Sequence, residues 1–210
     1  MSVFATISNH FRARRMQRFA SELQITAETR ILDIGGTPEY WMLLPERPRV
    51  TLLNTPRARA EVGETAWVAG DGRCLPFRDG AFDVVFSNSV IEHVGDAASQ
   101  ERFAREVARV GRRYWVQTPN RWFPVEQHLL TPFVHWLPRE WQRAVVPRFN
   151  LWSLLVRVTP DRRRFYIEHY LSDVRLLTLS EVRGLFPDAR VICERVAGVT
   201  KSFIAVKSRA

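Results

Sequence analysis

The chain has 210 residues, 46% of them hydrophobic, and a formal net charge of +9. That length suits one well-buried α/β domain rather than two domains with a linker, and the composition excludes a disordered chain. No run approaches the roughly 18 apolar residues of a membrane span, the N-terminus lacks a signal-peptide core, and Cys74 and Cys193 stand apart without disulfide or zinc spacing, so a cytoplasmic protein is expected.

Residues 1–27 form an N-terminal helical region in which Phe11, Arg15, Phe19 and Leu23 recur at helical spacing. "RILDIG" follows as a short buried strand, and "YWMLL" begins a helix that Pro45 and Pro48 keep short. "RVTLLN", "AWVAGD" and "FDVVFSN" are the second, third and fourth strands. Asp96 is a good N-cap for a helix that turns Phe103, Val107 and Val110 inward and pairs Glu101 with Arg105 outside. "RRYWVQTPN" is a fifth strand, closed by Pro119.

Residues 121–170 break the rhythm. They are rich in Pro, Phe and Arg and carry Trp122, Trp136, Trp141 and Trp152, and they read as a helical lid over an acceptor pocket. The tryptophans, with Phe123, Phe133, Phe149, Leu154 and Leu155, are expected to build a satellite core. A sharper possibility is an apolar, arginine-rimmed surface for a lipid-linked or membrane-proximal substrate. "TLSEVRGLF" is a short helix, and "ARVICERV" and "KSFIAVKS" are strands that pair with each other. Strands alternating with helices predict an α/β fold: a single Rossmann-like, doubly wound, mostly parallel seven-stranded sheet with an antiparallel C-terminal strand.

In such a sheet ligands bind beyond the carboxyl ends of the strands, where strand order reverses, so the turn after the first strand is the place to look. Asp33, Gly35 and Gly36 stand there. Glycines let the backbone approach a ligand, and Asp33 can orient the turn or accept hydrogen bonds from a cationic group.

"ILDIGG", followed by "AGDGRCLPFRDGAFDVVFSNSVIEHV" from Ala69 to Val94, resembles the paired blocks of class I S-adenosylmethionine-dependent methyltransferases of the small-molecule type. The resemblance covers about residues 28–120. It implies S-adenosylmethionine as cofactor and Asp71 as the acid that meets the adenine amine, with Gly72 and Arg73 lending backbone. Leu75, Pro76 and Phe77 would shape that loop, and Ser87 and Asn88 would lie near the methionine portion and the reacting methyl. The chain departs from the family's pattern twice. Asn54 replaces the acid that usually takes both ribose hydroxyls. The glycine loop either has Thr37 and Glu39 at glycine positions or is one residue short, with Gly36 in the second glycine's role and Pro38 in the first helical turn.

"SVIEHV" places Glu92 and His93 at the pocket mouth. Similar E-x-x-E-H segments occur in metal-assisted O-methyltransferases, where both acids and the histidine help hold a divalent ion. Ser89 stands where the first acid would be, so no metal is expected here. Downstream, Glu126, His128 and His135 follow the fifth strand on the acceptor side. His128 is a candidate general base for a hydroxyl, with His93 as its rival and Glu92 as a supporting acid. Methyl transfer is an in-line displacement from an activated sulfonium, so positioning alone can supply much of the rate.

All but two of the 31 basic residues are arginines, clustered at Arg12/Arg14/Arg15/Arg18, Arg112/Arg113 and Arg162/Arg163/Arg164. They read either as a solvated surface or as contacts for an anionic membrane, a phosphorylated substrate or nucleic acid. No basic-aromatic RNA-binding module is present, and "SNSVIEHV" replaces the Pro-Pro-aromatic signature of nucleic-acid amino methylators, which makes nucleic acid the weaker partner. The expected activity is methyl transfer to an oxygen, less readily a nitrogen, of a small-molecule, glycan or lipid-linked acceptor. The alternatives are a methyltransferase-fold scaffold without turnover and an RNA methyltransferase.

Overall fold

The computed structural model describes residues 3–56, 66–149, 151 and 159–209. Seven strands form one sheet: β1 (Arg30–Ile34), β2 (Arg49–Asn54), β3 (Ala66–Ala69), β4 (Phe82–Asn88), β5 (Gly111–Pro119), β8 (Arg190–Val196) and β9 (Val199–Lys207). Their order is β3-β2-β1-β4-β5-β9-β8, with β1 to β5 mutually parallel and β9 antiparallel to both neighbours. This is the predicted sheet. Its order reverses between β1 and β4, so the crevice at their carboxyl ends is the switch point of a doubly wound fold.

The alternation of β1 explains how the layers attach. Leu32 and Ile34 face one core, shared with Val85 of β4 and Phe103 and Val107 of α3 (Ala97–Val110). Ile31 faces the other, where Met16 and Phe19 of α1 (Val3–Glu22), with Leu23 just after it, pack in one core with Leu52, Val84 and Phe86. Phe19 meets Phe86, Trp115 and Trp41 edge-on, with ring centroids 4.9, 5.7 and 5.9 Å apart. Asp96 caps α3 by accepting from the Ser99 amide, and Thr178 with Glu181 forms a capping box at α6 (Leu179–Leu185).

The segment after β5 differs from expectation in composition. It begins with a ribbon of β6 (Val125–Glu126) and β7 (Thr131–Pro132), then a 3-10 turn (Val134–Trp136), α4 (Arg139–Val145) and α5 (Pro160–Asp173). Its core is aliphatic: Leu129, Val134, Val146, Ile167 and Val174 pack with Tyr170. Trp122, Phe133, Trp136, Trp141 and Phe149, expected inside, are exposed. Trp152, Leu154 and Leu155 lie outside the described residues. Small branched side chains fill the narrow space between two short helices and a ribbon, and the bulky rings are left on the outer face.

Candidate active site

Every cofactor-side residue singled out in the sequence lies at the carboxyl edge of the sheet. Gly35 follows β1 with φ +76° and donates its amide to the Leu53 carbonyl at 2.8 Å. α2 (Pro38–Trp41) starts at Pro38, so Gly35 and Gly36 fill the turn with only Thr37 after them. Gly36 lies directly on Asp33: a Cβ at that position would sit 1.7 Å from the carboxylate. Gly36 therefore lets the turn pack directly onto Asp33, which any side chain at that position would prevent. Glu39 is exposed and bonds back to the Thr37 side chain, which holds its carboxyl below the usual range.

Asp33 is buried, with Oδ2 accepting from Trp41 Nε1 at 2.8 Å and Oδ1 without a hydrogen-bond partner. Burial pushes its carboxyl up to about 7, against the opposing pull of the Trp41 bond. Asn54, at the end of β2, donates Nδ2 to the Gly36 carbonyl at 2.9 Å. One of its two amide hydrogens thus holds the glycine turn, and its carbonyl oxygen is an acceptor suited to a ligand hydroxyl.

Asp71 follows β3 and is clamped by Arg73, whose Nε and Nη2 donate to its carboxylate at 3.0 and 2.6 Å. That bond, more than burial opposes it, holds the Asp71 carboxyl below its ordinary range. Gly72 serves packing: a Cβ there would come within 2.7 Å of Phe103. Ser87 is fully buried at the end of β4. Asn88 turns toward α1 and accepts from Arg15 Nη1 at 2.7 Å, while Arg15 also pairs with Glu194 of β8 at 2.6 Å. The sequence periodicity sets Arg15 on the N-terminal helix with nothing to mark this contact. One arginine in a basic run carries no sequence signal for such a contact.

The acceptor-side residues converge more closely than their spacing suggests. Ser89 takes φ +57° and is pinned to β5, amide to the Gln117 carbonyl at 3.0 Å and Oγ to Gln117 Oε1 at 2.9 Å. The chain then enters a 3-10 turn (Ile91–His93), which buries Glu92 completely. Thr118 donates to Glu92 Oε2 at 3.0 Å, and Glu92 Oε1 has no hydrogen-bond partner. Burial raises the Glu92 carboxyl to about 7, partly offset by the charge of His128. The β6–β7 ribbon brings His128 across, its Nε2 3.1 Å from His93 Nε2. Behind it, buried Glu126 accepts from His128 Nδ1 and from the Leu129 amide, both at 2.6 Å. Burial disfavours a charged His128, but the hydrogen bond and charge of Glu126, with the charge of Glu92, outweigh it and raise its pKa. His135 is not part of this group, since its Nε2 lies 3.0 Å from the Arg121 carbonyl.

A cleft of about 450 Å³ adjoins the cluster, lined by Arg121, Trp136, Arg139, Tyr170 and Arg175 among others. The Tyr170 ring lies 6.3 Å from that of His128, tilted by 43°, and the Arg175 amide donates to the Glu92 carbonyl at 2.8 Å. A larger cleft of about 570 Å³ between α3 and α6 touches none of the predicted site residues.

Residues 48–113 match the family model described as a methyltransferase domain. A glycine/sarcosine/dimethylglycine N-methyltransferase of Actinopolyspora halophila is 36% identical over 111 residues, 46% of this chain, and the chain spans only about a fifth (19%) of that relative. Among solved structures, a Rhodobacter sphaeroides protein described as a candidate Zn-dependent alcohol dehydrogenase superposes with a TM-score of 0.64 at 13% identity, covering 94% of this chain and 89% of its own. The N-terminal domain of EvdMO1, crystallised in the presence of S-adenosylhomocysteine and D-fucose, gives 0.55 at 17% identity, covering 95% and 83%. At such identities the superpositions speak for the fold alone. The matched segment is thus similar to a methyltransferase domain, and the strand order is that of a doubly wound α/β fold with its loops gathered at the switch point.

Proposed function

We propose that the chain transfers a methyl group from S-adenosylmethionine to an oxygen of a small-molecule, glycan or lipid-linked acceptor. The observation that carries this reading is the adjacency of two built clusters across the end of β4. On one side lie the Asp33–Gly36 turn, Asn54 and Asp71, and on the other Glu92, His93 and His128 backed by Glu126. The cofactor cluster offers what the ligand's groups require: carboxylates for an ammonium and an exocyclic amine, and an amide oxygen for ribose. The acceptor cluster offers two imidazoles able to relieve a hydroxyl of its proton as the methyl arrives. The sulfonium is already an activated leaving group, so the chain's task is to hold the acceptor oxygen in line with the methyl carbon.

The exposed rings of Trp122, Phe133 and Trp136 beside Arg121 support a lipid-linked acceptor met at an anionic surface. Co-sedimentation with anionic vesicles tests that part, and no binding overturns it. A nitrogen acceptor is the second reading, favoured by the likeness to the Actinopolyspora N-methyltransferase. Calorimetry with S-adenosylmethionine tests the activity itself. One ligand per chain is expected, and no detectable binding at high micromolar protein would turn the reading into that of a scaffold.

A further inference from the structure

The cluster of Glu92, His93 and His128 has features that a proton relay leaves unexplained. Their nearest donor atoms all lie within 4.8 Å of one another. His128 donates its Nδ1 hydrogen to Glu126, so in the neutral ring its Nε2 carries a lone pair, directed at His93 Nε2 only 3.1 Å away. Glu92, fully buried, keeps Oε2 on Thr118 while Oε1 has no hydrogen-bond partner, a costly arrangement for a buried carboxyl group. Glu126 stands behind His128 as an imidazole-orienting carboxylate, itself fixed by the Leu129 amide.

We propose that these residues form a divalent metal site with His93 Nε2, His128 Nε2 and Glu92 Oε1 as ligands. Glu126 is the positioning residue that fixes the His128 tautomer. Two imidazoles and one carboxylate select a first-row transition ion, Zn²⁺ above all, over Mg²⁺. Three protein ligands leave a fourth position open, as in catalytic rather than structural sites. The sequence argued against a metal because Ser89 replaces the first acid of the E-x-x-E-H pattern. In the folded chain the third ligand comes instead from His128, delivered by the β6–β7 ribbon, while Ser89 is turned away onto Gln117.

This inference rests on the methyltransferase reading for its role. With an ion bound, the two imidazoles would serve as its ligands instead of as bases, and the ion would hold the acceptor hydroxyl at the open position and ease loss of its proton to solvent. Its oxygen pair then forms the bond to the methyl carbon as the carbon–sulfur bond breaks, leaving its electron pair on sulfur. The products are the methyl ether, S-adenosylhomocysteine and one proton.

The test uses the full chain, stripped with a chelator and titrated calorimetrically with Zn²⁺, Co²⁺ or Mg²⁺, and separately with S-adenosylmethionine. One Zn²⁺ or Co²⁺ per chain is expected, with Mg²⁺ far weaker. His93→Ala and His128→Ala should lose stoichiometric binding. Glu126→Gln should weaken it about 10- to 100-fold. The visible absorption of Co²⁺ in the unaltered chain shows nitrogen and oxygen coordination directly, should either alanine variant fail to fold. Absence of stoichiometric Zn²⁺ and Co²⁺ binding, or wild-type affinity in both histidine variants, overturns the site. If the ion binds and S-adenosylmethionine does not, the metal site stands and the methyltransferase reading falls. If the cofactor binds and no ion does, the reverse holds.

Discussion

The two halves of the crevice are built on different principles. On the proposed cofactor side each group comes from the end of its own strand or the turn directly after it: Asp33 in β1 with Gly35 and Gly36 following, Asn54 at the end of β2, Asp71 after β3. On the acceptor side Glu92 and His93 come from the turn after β4, while Glu126 and His128 arrive from a ribbon beyond β5, 35 residues on from His93 to His128. A turn after a strand tolerates local change, because its backbone is fixed by the sheet beneath it. A cluster assembled across distant segments depends on every member, and its buried charges are costly once one partner goes.

The sharpest way to break this contrast is His128→Ala. Removing one imidazole should lower turnover about 10²- to 10⁴-fold, the usual range for a group that manages a proton in the transition state. The dissociation constant of S-adenosylmethionine should stay within about twofold, since His128 contacts none of the cofactor-side residues. A comparable loss of cofactor affinity, measured by calorimetry, would show that the halves are not separate. Next in size is Asp71→Ala. Loss of a charged hydrogen-bond acceptor is worth about 1.5–3 kcal/mol, which predicts roughly 10- to 100-fold weaker cofactor binding. Turnover at saturating cofactor should be little altered.

What the sequence disclosed follows the same division. The strands and the fold class were readable because β1, β2 and β4 are short, mostly apolar runs bounded by turn residues, and the loops after β1 and β3 keep their residues contiguous. In the sequence Asn54 reads as a departure from the acid that usually ends the second strand and takes both ribose hydroxyls. The structure shows it holding the Gly36 carbonyl, a bond that an Asp could not donate. The individual candidates Glu92, His93 and His128 were visible as types, but their convergence was not. No local pattern reports that Glu126 is buried behind His128 or that Thr118 secures one oxygen of Glu92. The tryptophans of the insert misled for a related reason: hydrophobicity says that a ring is suited to burial, and the space left between short elements decides whether it is buried.

Asp33 gives a medium-sized test confined to the cofactor side. Its native carboxyl is raised to about 7 from an ordinary 3.8, so between those values the folded chain holds a proton that the unfolded chain has lost. Stability from this group is fully present below about pH 4 and disappears as pH rises through about 7. Asp33→Asn keeps the shape and the acceptor for Trp41 without the titration. The melting temperature of the unliganded wild type should therefore fall relative to the variant between pH 5 and 8. Parallel melting curves across that range would show that Asp33 is not a strained buried acid.

The smallest expected effect separates two meanings of the Asp71–Arg73 pair. Arg73 occupies the very oxygens that adenine would need, in an exposed ion pair. If the pair is a placeholder, the ligand must displace Arg73, and removing that arginine should favour binding. Exposed pairs are worth roughly 0.2–1 kcal/mol, so Arg73→Ala should tighten S-adenosylmethionine binding by at most about fivefold. If Arg73 instead orients Asp71 for the ligand, the same variant should weaken binding toward the Asp71→Ala value. The sign of the change decides, and raising the salt concentration separates the cases further. Screening loosens a displaceable pair and should bring wild type closer to the variant, whereas an orienting pair would lose affinity as salt rises.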